Sequence, residues 1–340
     1  MFISSLCTKE KSEMRLLYFT DTHLRGTAPA ARTDDFAAAV RAKLSEVVRL
    51  ANELKVSAVL HGGDLFDLPE PGLGQVGEYL EILRRFRAPL YVVPGNHDAY
   101  GHNPATLPRT LLGFLARMGL VRLLNREPVY LEGGGVRLQL TGQGYHAGID
   151  RRDPGPDYAV EKRDCDFAVH VAHGMLLPRS VISSAPFLPA ATAAEEALEA
   201  TGADYTLAGH YHMPWEVRIG GKVALNPGAL VRLSAHPDEI ARTPRVVVLE
   251  CAGGGVSHRY VALECARPGE EVLSRAHLDA ARVREESRAA FLAGLESFRG
   301  ERFAVMEPEE VLREVLARAG AGPEVEAEIW RRFQVRVSSP

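Results

Sequence analysis

The sequence is poor in cysteine. Its 340 residues hold only Cys7, Cys165, Cys251 and Cys265, no two of them in a C-x-x-C pair. That excludes a disulfide-stapled scaffold and a cysteine metal site, and it fits a reducing, cytoplasmic compartment. Long hydrophobic runs are missing as well: no stretch approaches the roughly 20 apolar residues that span a bilayer. The start, Met1 to Cys7, is apolar but short, and no small-residue cleavage site follows it, so it is not read as a signal peptide. Charge of one sign is also lacking. Lys+Arg is 40 and Asp+Glu is 44, a net charge of −4, which excludes a protein held on nucleic acid by bulk positive charge but not a local basic groove. Lysine is scarce among the bases, and the Arg, Ala and Gly richness reads as composition bias. No internal repeat or low-complexity tract is present.

What remains is a soluble globular composition, 46% hydrophobic and 25% charged, long enough for one large domain or two ordinary ones. The first half alternates strand and helix patterns. Leu16 to Thr20 predicts a buried strand. Phe36, Val40, Leu44, Val47, Ala51 and Leu54 recur at helical spacing over Asp34 to Leu54, with Asp34 and Asp35 at the start, where carboxylates favour the helix dipole. Ser57 to Leu60 and Ala88 to Val93 are further apolar runs, separated by a helix over Gly77 to Phe86. This is a βαβαβ opening, with an expected right-handed parallel sheet.

Gly133 to Gly135 between two β-rich runs predicts a hairpin over Pro128 to Gly142. Asp166 to Ala172, Tyr205 to Ala208, Glu216 to Leu225, Arg245 to Glu250 and Ser257 to Leu263 complete a second, more antiparallel sheet. After Ala266 the pattern turns charged and helical, over Val283 to Phe298, Pro308 to Ala319 and Pro323 to Phe333. The expected division is therefore an extension over 1–13 ahead of Met14, a catalytic domain over 14–266 and a helical region over 267–340. In the last of these, Val311, Leu312, Val315 and Leu316 form an apolar stripe of core type.

Every cluster of metal-type side chains lies where a strand pattern ends. These are Asp21-Thr-His23, Gly63-Asp64, Gly95-Asn-His-Asp98, His173-Gly174 and Gly209-His-Tyr-His212. Ligand sites in layered α/β folds collect beyond the carboxyl ends of strands. Taken singly, each motif also reads as a turn, a helix cap or a satisfied structural histidine. Five in order, each at a strand end, are hard to explain as independent turns. Asp and Asn supply hard oxygens and His a borderline nitrogen, a mixture suited to a pair of divalent ions. Such a pair can generate hydroxide and neutralise a phosphoryl group.

In that order the motifs resemble the calcineurin-like metallophosphoesterase superfamily, from about Arg15 to Leu263. Asp21-Thr-His-Leu24, Gly63-Asp-Leu-Phe-Asp67, Pro94-Gly-Asn-His-Asp98 and Asn226-Pro-Gly228 look most like SbcD-type DNA repair nucleases. Protein Ser/Thr phosphatases carry Arg-Gly where this chain has Leu68-Pro69, and Glu where it has Asp98. The resemblance implies an αββα sandwich with a small, mainly helical C-terminal region. It implies that Asp21, His23 and His212 hold one metal and that Asn96, His173 and His210 hold a second, with Asp64 bridging. His97 would face the scissile phosphate as an acid or charge stabiliser, and Asp98 would orient it. Manganese is the metal implied, while the donor mixture also suits iron or zinc.

The activity expected is that of a DNA exonuclease or endonuclease, hydrolysing by in-line attack of a metal-bridging hydroxide. The same chemistry on a small nucleotide, or a non-enzymatic interaction module, are the alternatives. An SbcC-like coiled-coil ATPase and a second copy of the chain are the protein partners considered. His61, Tyr100, His102 and His146 are candidates to line the groove or to be loop residues. Arg25, Arg151 and Arg152 are candidate phosphate contacts or solvated loop residues, and Asn226-Pro-Gly228 reads as a turn.

Overall fold

The computed structural model describes residues 13–185, 188, 190–298 and 308–337. The extension ahead of Met14, and Cys7 with it, lies outside these apart from Glu13.

The first strand sets the layering. In β1 (Met14–Phe19) side chains alternate, so Leu16 and Tyr18 point one way and Leu17 and Phe19 the other, all fully buried. Two cores must therefore flank this strand. On one side, Leu17 and Phe19 join Val59 of β2 (Ala58–His61) and Val92 of β3 (Leu90–Val92) beneath α1 (Phe36–Glu53), α2 (Leu73–Leu83) and α3 (Leu111–Arg117). Helix α1 starts where the acidic pair predicted, with the Asp35 carboxylate accepting the Ala38 N–H at 2.9 Å. The edge strand β4 (Arg122–Leu123) extends this sheet in parallel.

On the other side, Leu16 and Tyr18 face a second sheet. Its strands are β5 (Val129–Gly133), β6 (Val136–Gln143), β7 (Phe167–His173), β10 (Tyr205–Gly209), β11 (Trp215–Ile219) and β12 (Lys222–Asn226), in the order β11-β12-β10-β7-β6-β5. Leu138, Leu140, Val169, Val171, Leu207 and Leu225 fill the space between the sheets. The second sheet's outer face is rich in alanine: Ala172, Ala208 and Ala224 pack against Tyr158 of α4 (Gly155–Tyr158) and Ala197 and Leu198 of α6 (Ala194–Ala200). Between these helices lie β8 (Leu176–Leu177), α5 (Arg179–Ser184) and β9 (Thr192–Ala193). Helix, sheet, sheet, helix is the αββα sandwich.

Two expectations about the sheets are corrected. The second sheet is no more antiparallel than the first; each has three parallel and two antiparallel pairings. The strands β13 (Arg245–Ala252) and β14 (Gly255–Ala262) belong to the first sheet, whose order is β14-β13-β1-β2-β3-β4. β13 runs antiparallel to β1, with Met14 opposite Cys251. Val246 to Leu249 are completely buried on both faces, which only an interior position satisfies.

The short helices α7 (Pro237–Ala241) and α8 (Gly269–Val272) close the first compact unit, which ends at Leu273. Val272 and Leu273 are buried with Ala31 and Ala235, which ties the segment after Ala266 to this unit. The second unit starts at Ser274 and comprises α9 (Ala276–Phe298), α10 (Pro308–Ala319) and α11 (Pro323–Val337). Within it Leu312, Val315 and Leu316 are buried, as the stripe predicts, and Arg313 lies over the Trp330 ring at 5.8 Å. Among the described residues no helix is long and apolar enough to cross a membrane.

Candidate metal centre

The five motifs follow the carboxyl ends of parallel strands from both sheets. Asp21 and His23 follow β1, Asp64 follows β2, and Asn96, His97 and Asp98 follow β3. His173 ends β7, and His210 and His212 follow β10. The backbone is bent hard to aim them. Asp21 (φ 51°), His23 (φ 43°), Asp64 (φ 52°) and His210 (φ 80°) are four of the eight described non-glycine residues with positive φ. Left-handed geometry at non-glycine residues costs of order 1–3 kcal/mol each and concentrates at functional sites. Close approach also leaves no room for side chains at two glycines. A Cβ on Gly95 would stand 2.1 Å from Asp64 Oδ1, and one on Gly63 (φ 100°) would stand 2.2 Å from His173 Nδ1.

Three groups of donors result: two match the predicted sets, and the third joins His23, Asp67 and His97. Ligating atoms of Asp21, His23 and His212 lie within 4.8 Å of one another, and so do those of Asp64, His173 and His210. His23 Nε2 and His212 Nε2 are 3.1 Å apart. Asn96 Oδ1 lies 3.1 Å from His173 Nε2, which puts the amide oxygen with the second set. Asp64 stands between the sets: its Oδ2 is 3.7 Å from His23 Nε2 and 3.3 Å from His173 Nε2. Its Oδ1 accepts the His97 N–H at 2.8 Å. Backbone and hydroxyl groups hold the donors from behind. His173 Nδ1–H donates to the Gly62 carbonyl at 2.7 Å, turning Nε2 inward, and Thr20 Oγ1–H donates to Asp21 at 2.7 Å.

The electrostatics suit cations. Burial and the nearby Asp64 raise the Asp21 pKa. Burial acts the same way on Asp64, but His173, then His23 and His97, hold it well below the carboxylate range. His173 is buried, which disfavours charge, yet Asp64 and Asp21 lift it to about 9. His210 and His212 are lowered to about 3, each by burial first and then by a neighbouring imidazole, His173 and His23 respectively. Two carboxylates thus draw positive charge into a buried space, and neutral imidazoles offer lone pairs beside them. This donor set fits two divalent ions.

The structure brings all the predicted ligands together but corrects one role. Asp98 does not touch His97. Its buried carboxylate accepts the N–H groups of Leu65 (3.3 Å), Phe66 (3.0 Å) and Gly95 (2.9 Å), so it binds the β2 and β3 loops together. Burial, with Asp64 nearby, raises it to about 6. The His97 ring instead meets the Asp67 carbonyl through Nδ1 at 2.9 Å. The half-buried His97 ring lies 4.8 Å from that of His23.

Asp67 was missed as a functional residue, although it closes the Gly63-Asp-Leu-Phe-Asp67 run. Its carboxylate lies 3.3 Å from His23 Nδ1 and 3.1 Å from Arg25 Nη1. Tyr145 was missed too; its ring lies 5.7 Å from that of His210 and 6.0 Å from that of His102.

The remaining candidates divide. His102 is exposed and stands 6.3 Å from the His97 ring. His61 is neither groove nor loop: it is fully buried, accepts the Gly63 N–H at 3.2 Å and bonds Thr22. Tyr100 donates to Glu70 at 2.7 Å. His146 and Arg152 pair with the buried Asp157. Arg25 contacts Asp67 and Thr27, and Arg151 is exposed. Asn226 makes a turn, accepting the Gly228 N–H at 2.7 Å. Among the described residues the cysteines Cys165, Cys251 and Cys265 are free.

Donors of this chemistry at the strand ends of a two-sheet sandwich define a metal-dependent phosphoesterase. The chain belongs to the calcineurin-like phosphoesterase family, whose model matches residues 14–214. Its curated relatives include DNA double-strand break repair proteins named Mre11. The one from Methanosarcina acetivorans is 28% identical over 262 residues, 73% of this chain and 39% of the relative. The one from Haloferax volcanii is 31% identical over 229 residues, 65% of this chain and 46% of the relative. The chain thus spans less than half the length of these relatives.

Proposed function

We propose that the chain is a two-metal phosphodiesterase of the nuclease type that acts on DNA in repair. The observation carrying this reading is the position of Asp64, whose Oδ2 lies within 3.7 Å of imidazoles from both donor sets. Asp21, His23 and His212 would hold one ion, Asn96, His173 and His210 the other, and Asp64 both. Bound divalent ions, manganese in the first instance, supply charge neutralisation at the phosphoryl group and activation of water.

The remaining work falls to the chain. As an imidazolium, His97 would keep its Nδ1–H on the Asp67 carbonyl and give the Nε2 proton to the departing oxygen, ending as the neutral Nδ1–H imidazole. Tyr145, whose ring lies beside His210, and His102, whose ring lies beside His97, are the residues proposed to meet the nucleotide. The names of the curated relatives support DNA as substrate, and the net charge of −4 makes a small nucleotide the reading to test against it. The helical unit from Ser274 exposes Val283, Leu292 and Val325 and is the segment proposed to meet an SbcC-like coiled-coil ATPase or a second copy of the chain.

The test compares manganese-dependent digestion of linear duplex DNA with turnover of bis-p-nitrophenyl phosphate and of small nucleotides. DNA digestion that is lost in Asp64→Ala, together with bound metal, is expected. Turnover of the small substrates alone would overturn the DNA reading. Near-normal rates and two retained metals in Asp64→Ala would overturn the bridging role.

A further inference from the structure

A second charged cavity lies apart from the metal centre, beside the first half of α1. It measures about 310 Å³ and is lined by Arg32, Asp34, Asp35, Lys43, Arg232 and Arg267 among others, a volume at the small end of the range for small-molecule sites. Its cations are unusually deep: Arg232 is 2% and Lys43 3% exposed.

The pairing of these charges is incomplete. Arg32 is satisfied by Asp34, through Nε at 2.8 Å and Nη2 at 2.7 Å. Arg267 is paired with Glu271 at 2.9 Å, and Arg242, just behind, with Glu239 at 2.9 Å. Asp35 is engaged in capping α1. Arg232 meets only carbonyls, those of Arg242 and Arg267, and its buried Nε has no partner. Lys43 makes no hydrogen bond or ion pair among the described residues. Neither buried cation makes a hydrogen bond or ion pair with a carboxylate among the described residues; both feel the buried Glu239, but its carboxylate is bonded to Arg242, and the cavity leaves room beside them.

Buried charges in folded proteins are paired, because an unpaired one costs several kcal/mol. A binding site for an anion explains the exception. Burial, then Arg32, Arg232 and Arg242, lowers the Lys43 pKa to about 7, with the Cys265 thiol acting weakly the other way. Burial is the larger cause and the three guanidiniums the next, so an anion bound beside Lys43 would hold its ammonium charged.

We propose that the cavity of Arg32, Lys43, Arg232 and Arg267 binds a small phosphate-type dianion, independently of the metal centre. A tetrahedral oxyanion suits both free cations: its oxygens accept from the Lys43 ammonium and from the unpartnered Arg232 Nε–H, giving short, charge-assisted bonds. The enclosure of both side chains favours a free ion or the terminal phosphate of a small molecule over the backbone of a duplex.

The test uses the full chain stripped of metal by chelation, so that the metal centre does not compete. Sulfate and inorganic phosphate are titrated calorimetrically into the wild type, into Lys43→Met and into the surface control Arg84→Met. Saturable binding is expected in the wild type and in Arg84→Met, weakened at least about tenfold in Lys43→Met, the scale of one charged hydrogen bond. Lys43→Met removes a buried charge at similar volume and should fold; circular dichroism and the melting temperature check this. A selenate soak, located by its anomalous signal, should place the ion between Lys43 and Arg232. A nucleoside 5′-monophosphate binding more tightly than phosphate would assign the dianion to a nucleotide; equal or weaker binding would assign it to the free ion. No saturable binding in the wild type, equal binding in Lys43→Met, or selenate elsewhere overturns the proposal.

Discussion

His97 and Asp98 are neighbours in sequence, but their side chains bond different partners. Sequence neighbours in a turn need not share a task, and the assignment of Asp98 as the partner of His97 was the one site role the motif concealed. Of the three backbone groups that the buried Asp98 carboxylate accepts, only Gly95 is local; the other two lie 32 and 33 residues away, which no local pattern announces. The metal-type residues themselves were legible, because each stands next to a glycine or a strand end. Asp67 was less so, since its role lies in contacts to His23 and Arg25 and, through its carbonyl, to His97.

Two expectations follow for single residues. His97→Asn should keep both metals and slow hydrolysis by roughly 10²–10⁴-fold, the usual worth of general acid catalysis. The loss should be larger on DNA, whose leaving alkoxide needs a proton, than on an aryl phosphodiester. Equal loss on both, or loss of metal, would make His97 a ligand or a positioning group. Asp67→Ala should weaken metal affinity by roughly 10–100-fold, as loss of a ligand's supporting contact does, which a metal titration with and without the substitution would measure.

At the scale of elements, the helices were more readable than the sheet order. A helix announces itself by local periodicity, and Asp35 marks the start of α1 directly. Sheet membership depends on partners far along the chain. The run Val246 to Leu249 reads as a strand in isolation, but nothing near it says that β1, over 200 residues earlier, is its neighbour. The loops that carry the site are as exacting as the strands. Gly95→Ala would drive a methyl into the Asp64 carboxylate and backbone, 2.1 and 2.2 Å away. It should therefore reduce metal occupancy and activity together while circular dichroism stays close to that of the wild type. An active, fully metallated Gly95→Ala would show that the β3 loop yields more than its packing suggests.

For the whole molecule, a pH dependence follows from histidines buried far from solvent. His170 is enclosed between Thr141 Oγ1 at 2.9 Å and the Asp157 carbonyl at 3.0 Å. Burial, then Arg126, lowers it to about 4. The unfolded chain, with a histidine pKa near 6.5, binds the extra proton first. Stability from this group is therefore complete above about pH 6.5 and is lost as the pH falls toward 4, by about 3 kcal/mol. Urea unfolding at pH 7 and pH 5 should show the drop. His170→Gln, which can still donate and accept, should reduce the drop by the His170 share while His61, His210 and His212 keep theirs, and an unchanged drop would assign the acid sensitivity elsewhere.

The donor sets draw on both sheets, and His23 and His212 are 189 residues apart in the chain. Divalent ions held there would act as rivets through the two layers of the sandwich. A growing chain released as far as β7 carries only the half of the centre that the first sheet supplies, together with His173. Loading therefore belongs to the end of folding, after the layers have docked and the left-handed turns have been forced into place. Such a long-range clasp would make the last step of assembly slow, and the supply of metal, by mass action, would then control how long the finished sandwich stays closed.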